Sequence, residues 1–217
     1  MRLEVKNYTK IIKNQTILDH VNLSFSSGHV YGFYGKNGSG KTMLFRAIST
    51  LIFPSEGDVY IDGESIIHNS FDLSQIGILM DHINFYNHLS GFDNLMMLYQ
   101  INHKKNKEHI LSMLDRVGLM EAKDKKFKEY SLGMKQRLNL AQAFMENQQI
   151  IILDEPTNGI DEKGLDIIYN FIKEEKAKGK LILMASHNKE DLVALCDEIY
   201  LVKAGTFTKM SEDVNLL

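Results

Sequence analysis

Eight consecutive residues, Gly35-Lys36-Asn37-Gly38-Ser39-Gly40-Lys41-Thr42, constrain this chain more than any other stretch. The pattern G-x-x-x-x-G-K-T needs a backbone that curls until its N–H groups converge on one anion, and glycine makes such a curl sterically cheap. The apolar run Val30-Tyr31-Gly32-Phe33-Tyr34 ahead of it reads as a buried strand. Met43-Leu44-Phe45 and Ala47-Ile48 behind it read as a helix with one apolar face. A helix starting at Lys41 aims the positive end of its dipole at the same anion. In this pattern the lysine reaches the outer phosphates of a nucleotide, and the Thr42 hydroxyl serves Mg²⁺. Gly35, Asn37, Gly38, Ser39, Gly40, Lys41, Thr42 and Met43 are therefore the candidate nucleotide contacts.

Composition narrows the setting. A chain of 217 residues suits one large α/β domain, or one domain with a sub-domain inserted. A net charge of −3 provides no global basic field to attract nucleic acid or anionic lipid. Cys196 is the single cysteine, so no internal disulfide forms; Leu192, Val193, Leu195 and Ile199 around it read it as a small buried hydrophobe. The opening Met1-Arg2-Leu3-Glu4-Val5-Lys6 alternates like a strand and not like a leader. No apolar run approaches the ~20 residues needed to span a bilayer. A soluble, cytoplasmic protein is expected.

Leu3 to Ile12 and Thr16 to Phe25 alternate in polarity around Lys13-Asn14-Gln15, a hairpin pattern. Gly57 to Gly63 reads as another short strand of the same antiparallel layer, and Ile76 to Met80 as a short apolar strand. From Phe92 to about Met145 the periodicity turns helical. The lysines at 123, 125, 126 and 128 read as a solvated loop. Ile150-Ile151-Ile152-Leu153 reads as a centre strand, followed by a helix face at Leu165, Ile168 and Ile172. Strand 181–185, helix 189–196 and strand 199–202 complete an alternation that implies crossovers and a parallel sheet. The fold class is α/β: residues 1–81 and 146–217 form a nucleotide-binding core with its β layer, and residues 82–145 an inserted helical sub-domain.

Two further segments carry chemistry. The apolar strand at 150–153 ends in Asp154-Glu155. Beside a phosphate loop, Asp154 can hold Mg²⁺ through water, and Glu155 can polarise the water that attacks a γ-phosphorus. Ser131-Leu132-Gly133 opens a helix whose apolar face carries Leu138, Ala141 and Phe144, and a helix N-terminus attracts anions.

Tyr130-Ser131-Leu132-Gly133-Met134-Lys135-Gln136-Arg137 resembles the LSGGQ signature of ABC ATPases. With Gly35–Thr42, Asp154-Glu155-Pro156-Thr157-Asn158-Gly159-Ile160-Asp161 and Ser186-His187, it completes the family's set in order and spacing across essentially the whole chain. The resemblance implies a P-loop NTPase fold and ATP with Mg²⁺ as cofactors. It implies a head-to-tail pair of cassettes, homodimeric or heterodimeric, in which Ser131 and Gly133 touch the γ-phosphate held by the partner. Asp161 would cross that interface, and His187 would sense the γ-phosphate. At two positions the chain departs from the family pattern. Asp81 stands where a Mg²⁺-sensing glutamine is usual, and Ile12 aligns with the aromatic that stacks on adenine, with Tyr8 as the alternative stacker.

The form Ser131-Leu132-Gly133-Met134-Lys135-Gln136-Arg137-Leu138 resembles the exporter branch that handles drugs, bacitracin-type antibiotics and lantibiotics, as does the segment Phe85 to Leu95. It implies a motor subunit lying on the inner face of the cell membrane, touching it only through a separately encoded permease, with no nucleic-acid partner. Phe85, Tyr86 and Phe92 are candidate permease contacts or sub-domain core. An importer cassette, and a soluble ABC-type ATPase acting on ribosomes or DNA, are the alternatives. Asn188-Lys189-Glu190-Asp191 matches the guanine-reading N-K-x-D of GTPases, but a GTPase needs D-x-x-G, and Asp154-Glu155-Pro156-Thr157 ends in threonine.

Overall fold

The computed structural model describes residues 1–69, 71–80 and 85–211. Asp81, expected to act near Mg²⁺, lies outside the described residues. The chain opens with a long hairpin, β1 (Arg2–Ile12) and β2 (Gln15–Ser26). Lys13 and Asn14 both take positive φ at its tip, the conformation a two-residue hairpin turn requires. Gln15 thus belongs to the strand and not to the loop. With β4 (Glu56–Ile61) and β5 (Glu64–Ser65) the hairpin forms an antiparallel sheet in the order β2-β1-β4-β5.

The second sheet has six strands in the order β10-β9-β3-β8-β7-β6. These are β3 (Val30–Tyr34), β6 (Ile76–Leu79), β7 (Ile150–Asp154), β8 (Leu181–Ser186), β9 (Glu198–Lys203) and the edge strand β10 (Thr206–Lys209). All pairings are parallel except β9 with β10. Its central strands are apolar throughout because both faces are covered. Along β7, Ile150 and Ile152 join the core shared with the β layer and α1 (Lys41–Ile48), while Ile151 and Leu153 face the helical side. The period of two along a strand sends one run of isoleucines into two cores.

The helical side is built from α2 (Gly91–Tyr99), α3 (Lys107–Arg116), α4 (Leu132–Phe144), α5 (Glu162–Ala177) and α6 (Lys189–Leu195). Each starts at a side-chain cap: Ser90, Asn106, Ser131, Asp161 and Asn188 accept from a backbone N–H in the first turn. The helical pattern expected over 92–145 therefore resolves into three α-helices. Gly118 at φ 65° turns the chain out of α3, and a Ser90–Lys126 bridge holds the irregular stretch between α3 and α4. Helix α4 packs directly on β6: a Cβ on Gly77 would stand 1.8 Å from the Ala143 carbonyl oxygen.

Other expectations resolve by burial. Phe85 is buried with its ring edge-on to Phe127 at 5.1 Å and Phe92 is half-buried, so both serve the helical core, whereas Tyr86 is exposed. Cys196 packs against Gly32, and burial pushes its thiol up to about 12, which suits an inert hydrophobe.

Candidate nucleotide site

The phosphate loop leaves β3 and enters α1 as the sequence predicts. Gly38 and Gly40 take φ 79° and 117°, conformations in which a side chain is strained. Lys41 is 5% exposed, and its ammonium donates to the carbonyls of Gly35 at 2.6 Å and Lys36 at 3.3 Å. These bonds hold a buried cation in place at the mouth of the loop. Thr42 Oγ1 donates to Asp154 Oδ2 at 2.5 Å, joining the first turn of α1 to the end of β7.

Beyond Asp154 the chain turns sharply. Glu155 has φ 51°, a region that non-glycine residues seldom occupy and that recurs at functional sites. Its N–H donates to Ala185 O, and its carbonyl accepts from Gln136 Nε2 at 2.9 Å and from Asn158 N at 3.2 Å. Glu155 Oε2 lies 2.7 Å from His187 Nδ1, while Oε1 is buried with no hydrogen-bond partner. Ser39 Oγ is also buried and unpartnered. Orphaned polar atoms on both walls suit a site that binds a polar ligand.

One cleft of about 590 Å³ gathers most of the expected residues: Ile12, Asn37, Gly38, Ser39, Gly40, Lys41, Thr42, Met43, Asp154, Glu155 and His187. It adds Lys13, Gln15, Ile17 and Asn158, which the sequence reading missed. Ile12 and Ile17 of the hairpin give the cleft apolar lining. Tyr8 is not part of it. The ring is fully buried in the β layer with its hydroxyl donating to Ile52 O at 3.0 Å, so the alternative stacker is excluded. Asn188 of the N-K-x-D match caps α6, and Asp191 is buried at 2% exposure, so neither reads a base from the cleft.

Ser131, Gly133 and Asp161 do not line the cleft. Ser131 is exposed at the start of α4, where its Oγ accepts from Met134 N. Asp161 is exposed and caps α5 through Gly164 N at 3.1 Å. Leu132, in the signature's glycine position, is 65% exposed and packs over Gly159, where a Cβ would meet it at 2.3 Å.

A strand–loop–helix phosphate cradle, a carboxylate-ended neighbouring strand and a two-sheet frame define a P-loop nucleoside triphosphatase. Comparison narrows this further. A family model described as "ABC transporter" matches residues 18–158. The Bacillus subtilis ABC transporter ATP-binding protein YybJ is 43% identical over 195 residues, covering 90% of this chain and 89% of its own. The bacitracin transport ATP-binding protein BcrA of Enterococcus faecalis is 35% identical over 216 residues, covering 99% of this chain and 69% of its own. A solved dimeric ATP-binding cassette in a post-hydrolysis state with ADP and phosphate superposes with a TM-score of 0.85 at 25% identity, covering 96% of this chain and 98% of that one. The chain belongs to the ABC transporter ATP-binding family. It is an ATP-binding, ATP-hydrolysing subunit of an ABC transporter. Among the described residues, no helix is long and apolar enough to cross a membrane.

Proposed function

We propose that this chain is the motor subunit of a bacterial exporter of peptide antibiotics or drug-like compounds, working on the cytoplasmic face with a separately encoded permease. The observation that carries the motor reading is the division of the site. The cleft gathers the phosphate loop, Asp154, Glu155 and His187, while Ser131, Gly133 and Asp161 lie outside it. That division supports a reading in which the signature helix of a second chain completes each cleft. The exporter reading rests on similarity to the bacitracin transport protein and on the signature form Ser131-Leu132-Gly133-Met134.

The chemistry follows from the residues. Backbone N–H groups of the phosphate loop and Lys41 would hold the β- and γ-phosphates. Thr42 and Asp154 would hold Mg²⁺, and Asp81 is the third candidate for it; the ion supplies charge neutralisation at the phosphates when bound. Glu155 would take a proton from the attacking water, and His187 would orient that carboxylate through the 2.7 Å contact. Ile12 and Ile17 would contact the base by apolar packing. Residues 1–81 and 146–217 serve as the nucleotide core, and residues 82–145 as the helical unit that docks the permease.

The test is affinity purification of the tagged chain from gently solubilised native membranes. A stoichiometric partner with several membrane spans supports the exporter reading and identifies the complex for substrate assays. Recovery on ribosomes or DNA without a membrane partner would overturn it.

A further inference from the structure

Asp191 is a buried carboxylate that the nucleotide chemistry does not use. It sits in the first turn of α6 at 2% exposure, with its side chain directed away from solvent. Four side chains reach it from three segments. Thr157 Oγ1 donates to Oδ2 at 2.5 Å, and Tyr169 Oη of α5 donates to Oδ1 at 2.5 Å. Ser186 Oγ, at the end of β8, lies 3.5 Å from Oδ2, and Asn188 Nδ2 lies 3.4 Å from Oδ1. Ser186 Oγ also accepts from Asn188 N at 3.0 Å.

The segments joined are the ones that carry the reacting groups. Thr157 is two residues after Glu155, in the turn that holds the carboxylate at positive φ. Ser186 and Asn188 flank His187. Tyr169 lies two turns into the helix that Asp161 caps. Burial and the carboxylate's hydrogen bond both push the Tyr169 hydroxyl well above the usual range, so it stays a donor. A carboxylate is the one acidic acceptor able to take a hydroxyl on each oxygen at once. Gln136, bonded to the Glu155 carbonyl, braces the same turn from the side of α4.

We propose that Asp191 is a positioning residue for ATP hydrolysis, locking the turn after Glu155 to the segment that presents His187. Without it, the Glu155–His187 pair loses its fixed separation, while the phosphate loop keeps its own bonds, from Lys41 to Gly35 and Lys36 and from Thr42 to Asp154. The effect therefore falls on turnover and not on nucleotide affinity. An error of about an ångström in a reacting group costs up to roughly a hundredfold in rate.

The proposal rests on Glu155 and His187 acting at the γ-phosphate. The test measures steady-state ATPase activity of the full chain, with melting temperature measured in parallel. Asp191→Ala should lower kcat about ten- to a hundredfold with KM for ATP within about twofold. Asp191→Asn, which keeps the shape and one acceptor, should recover a large part of the loss. Thr157→Val removes a single hydroxyl and should lower kcat in the same manner, and it decides the matter where Asp191→Ala does not fold. A folded Asp191→Ala or Thr157→Val protein with wild-type kcat, or with KM rising as kcat falls, would overturn the proposal. Glu155→Gln, assayed alongside, separates the two claims. If it turns over normally, the reading of the site itself fails and this inference with it. If it is inactive while the Asp191 and Thr157 variants match wild type, only the positioning role fails.

Discussion

Arg116 Nη2 lies 2.7 Å from Glu175 Oε1, a bond that fastens α3 to α5. Lys180 Nζ lies 2.7 Å from the other oxygen, Glu175 Oε2, and Lys178 reaches Oε1 at 2.6 Å. Glu175 and Lys180 are almost fully buried, and the cations of Arg116 and Lys180 also lie over the rings of Phe171 and Phe144. The cluster joins the helical unit to the elements that carry the sheet.

Breaking this cluster from one side should cost more than its net worth. Glu175→Gln leaves Lys180 buried without its counter-charge, a situation that destabilises by about 3–5 kcal/mol. Thermal denaturation should show a Tm lower by on the order of 10 °C. A change below about 2 °C would show that water or relaxation replaces the carboxylate.

The same residue gives stability a defined acid dependence. Burial alone would raise the Glu175 carboxyl, but hydrogen bonds from Lys178, Lys180 and Arg116 outweigh it and hold the group down to about 2. A carboxyl lowered on folding stabilises fully above its unfolded value, and the contribution fades as pH falls through the folded one. The shift from 4.5 to about 2 corresponds to a contribution on the order of 3 kcal/mol. Urea denaturation at several pH values should show the gap between wild type and Glu175→Gln narrowing from about pH 4.5 downward. A constant gap would mean the carboxyl is not lowered in the fold.

Helix α4 leaves no room over β6. Gly77→Ala puts a methyl 1.8 Å from the Ala143 carbonyl oxygen, backbone against backbone. Overpacking of this kind costs about 1–3 kcal/mol or more. Chemical denaturation should register it, and because α4 is capped by Ser131 and carries Gln136, ATPase activity should fall as well. Unchanged stability would place α4 further from the sheet than the structure has it.

In the proposed site the base would meet aliphatic side chains, which bears on selectivity. Ile12 and Ile17 offer apolar surface but no ring to stack on. ATP and GTP should therefore bind with similar affinity. Ile12→Tyr should tighten ATP binding by about three- to tenfold, the range expected for one aromatic pair. Equilibrium binding of fluorescent nucleotides measures both, and unchanged affinity in Ile12→Tyr would place the base elsewhere in the cleft.

The sequence carried the parts of this molecule that obey local rules. The phosphate loop, the acid-ended β7 and the parallel alternation were legible because spacing and polarity alone specify them. The irregular stretch that parts α3 from α4 was not, since it rests on Gly118 and on a bridge between Ser90 and Lys126, 36 residues apart. Tyr8 was misleading as a stacker because its direction depends on strand pairing and irregular register in β1. Thr157, Tyr169 and Asp191 come together only through the packing of α5 against α6 and of α6 against β8, a relationship that no spacing signals. Asn158 could have been found as the neighbour of an acidic pair at a strand end.

The most direct test of the account is the behaviour of Glu155→Gln with saturating ATP and Mg²⁺, read by size-exclusion chromatography with light scattering and by phosphate release. The account predicts a stable two-chain species with hydrolysis slowed by at least about a hundredfold, the contribution of a general base. A variant that stays monomeric and keeps wild-type turnover would contradict both the role of Glu155 and the closure of two chains around the nucleotide.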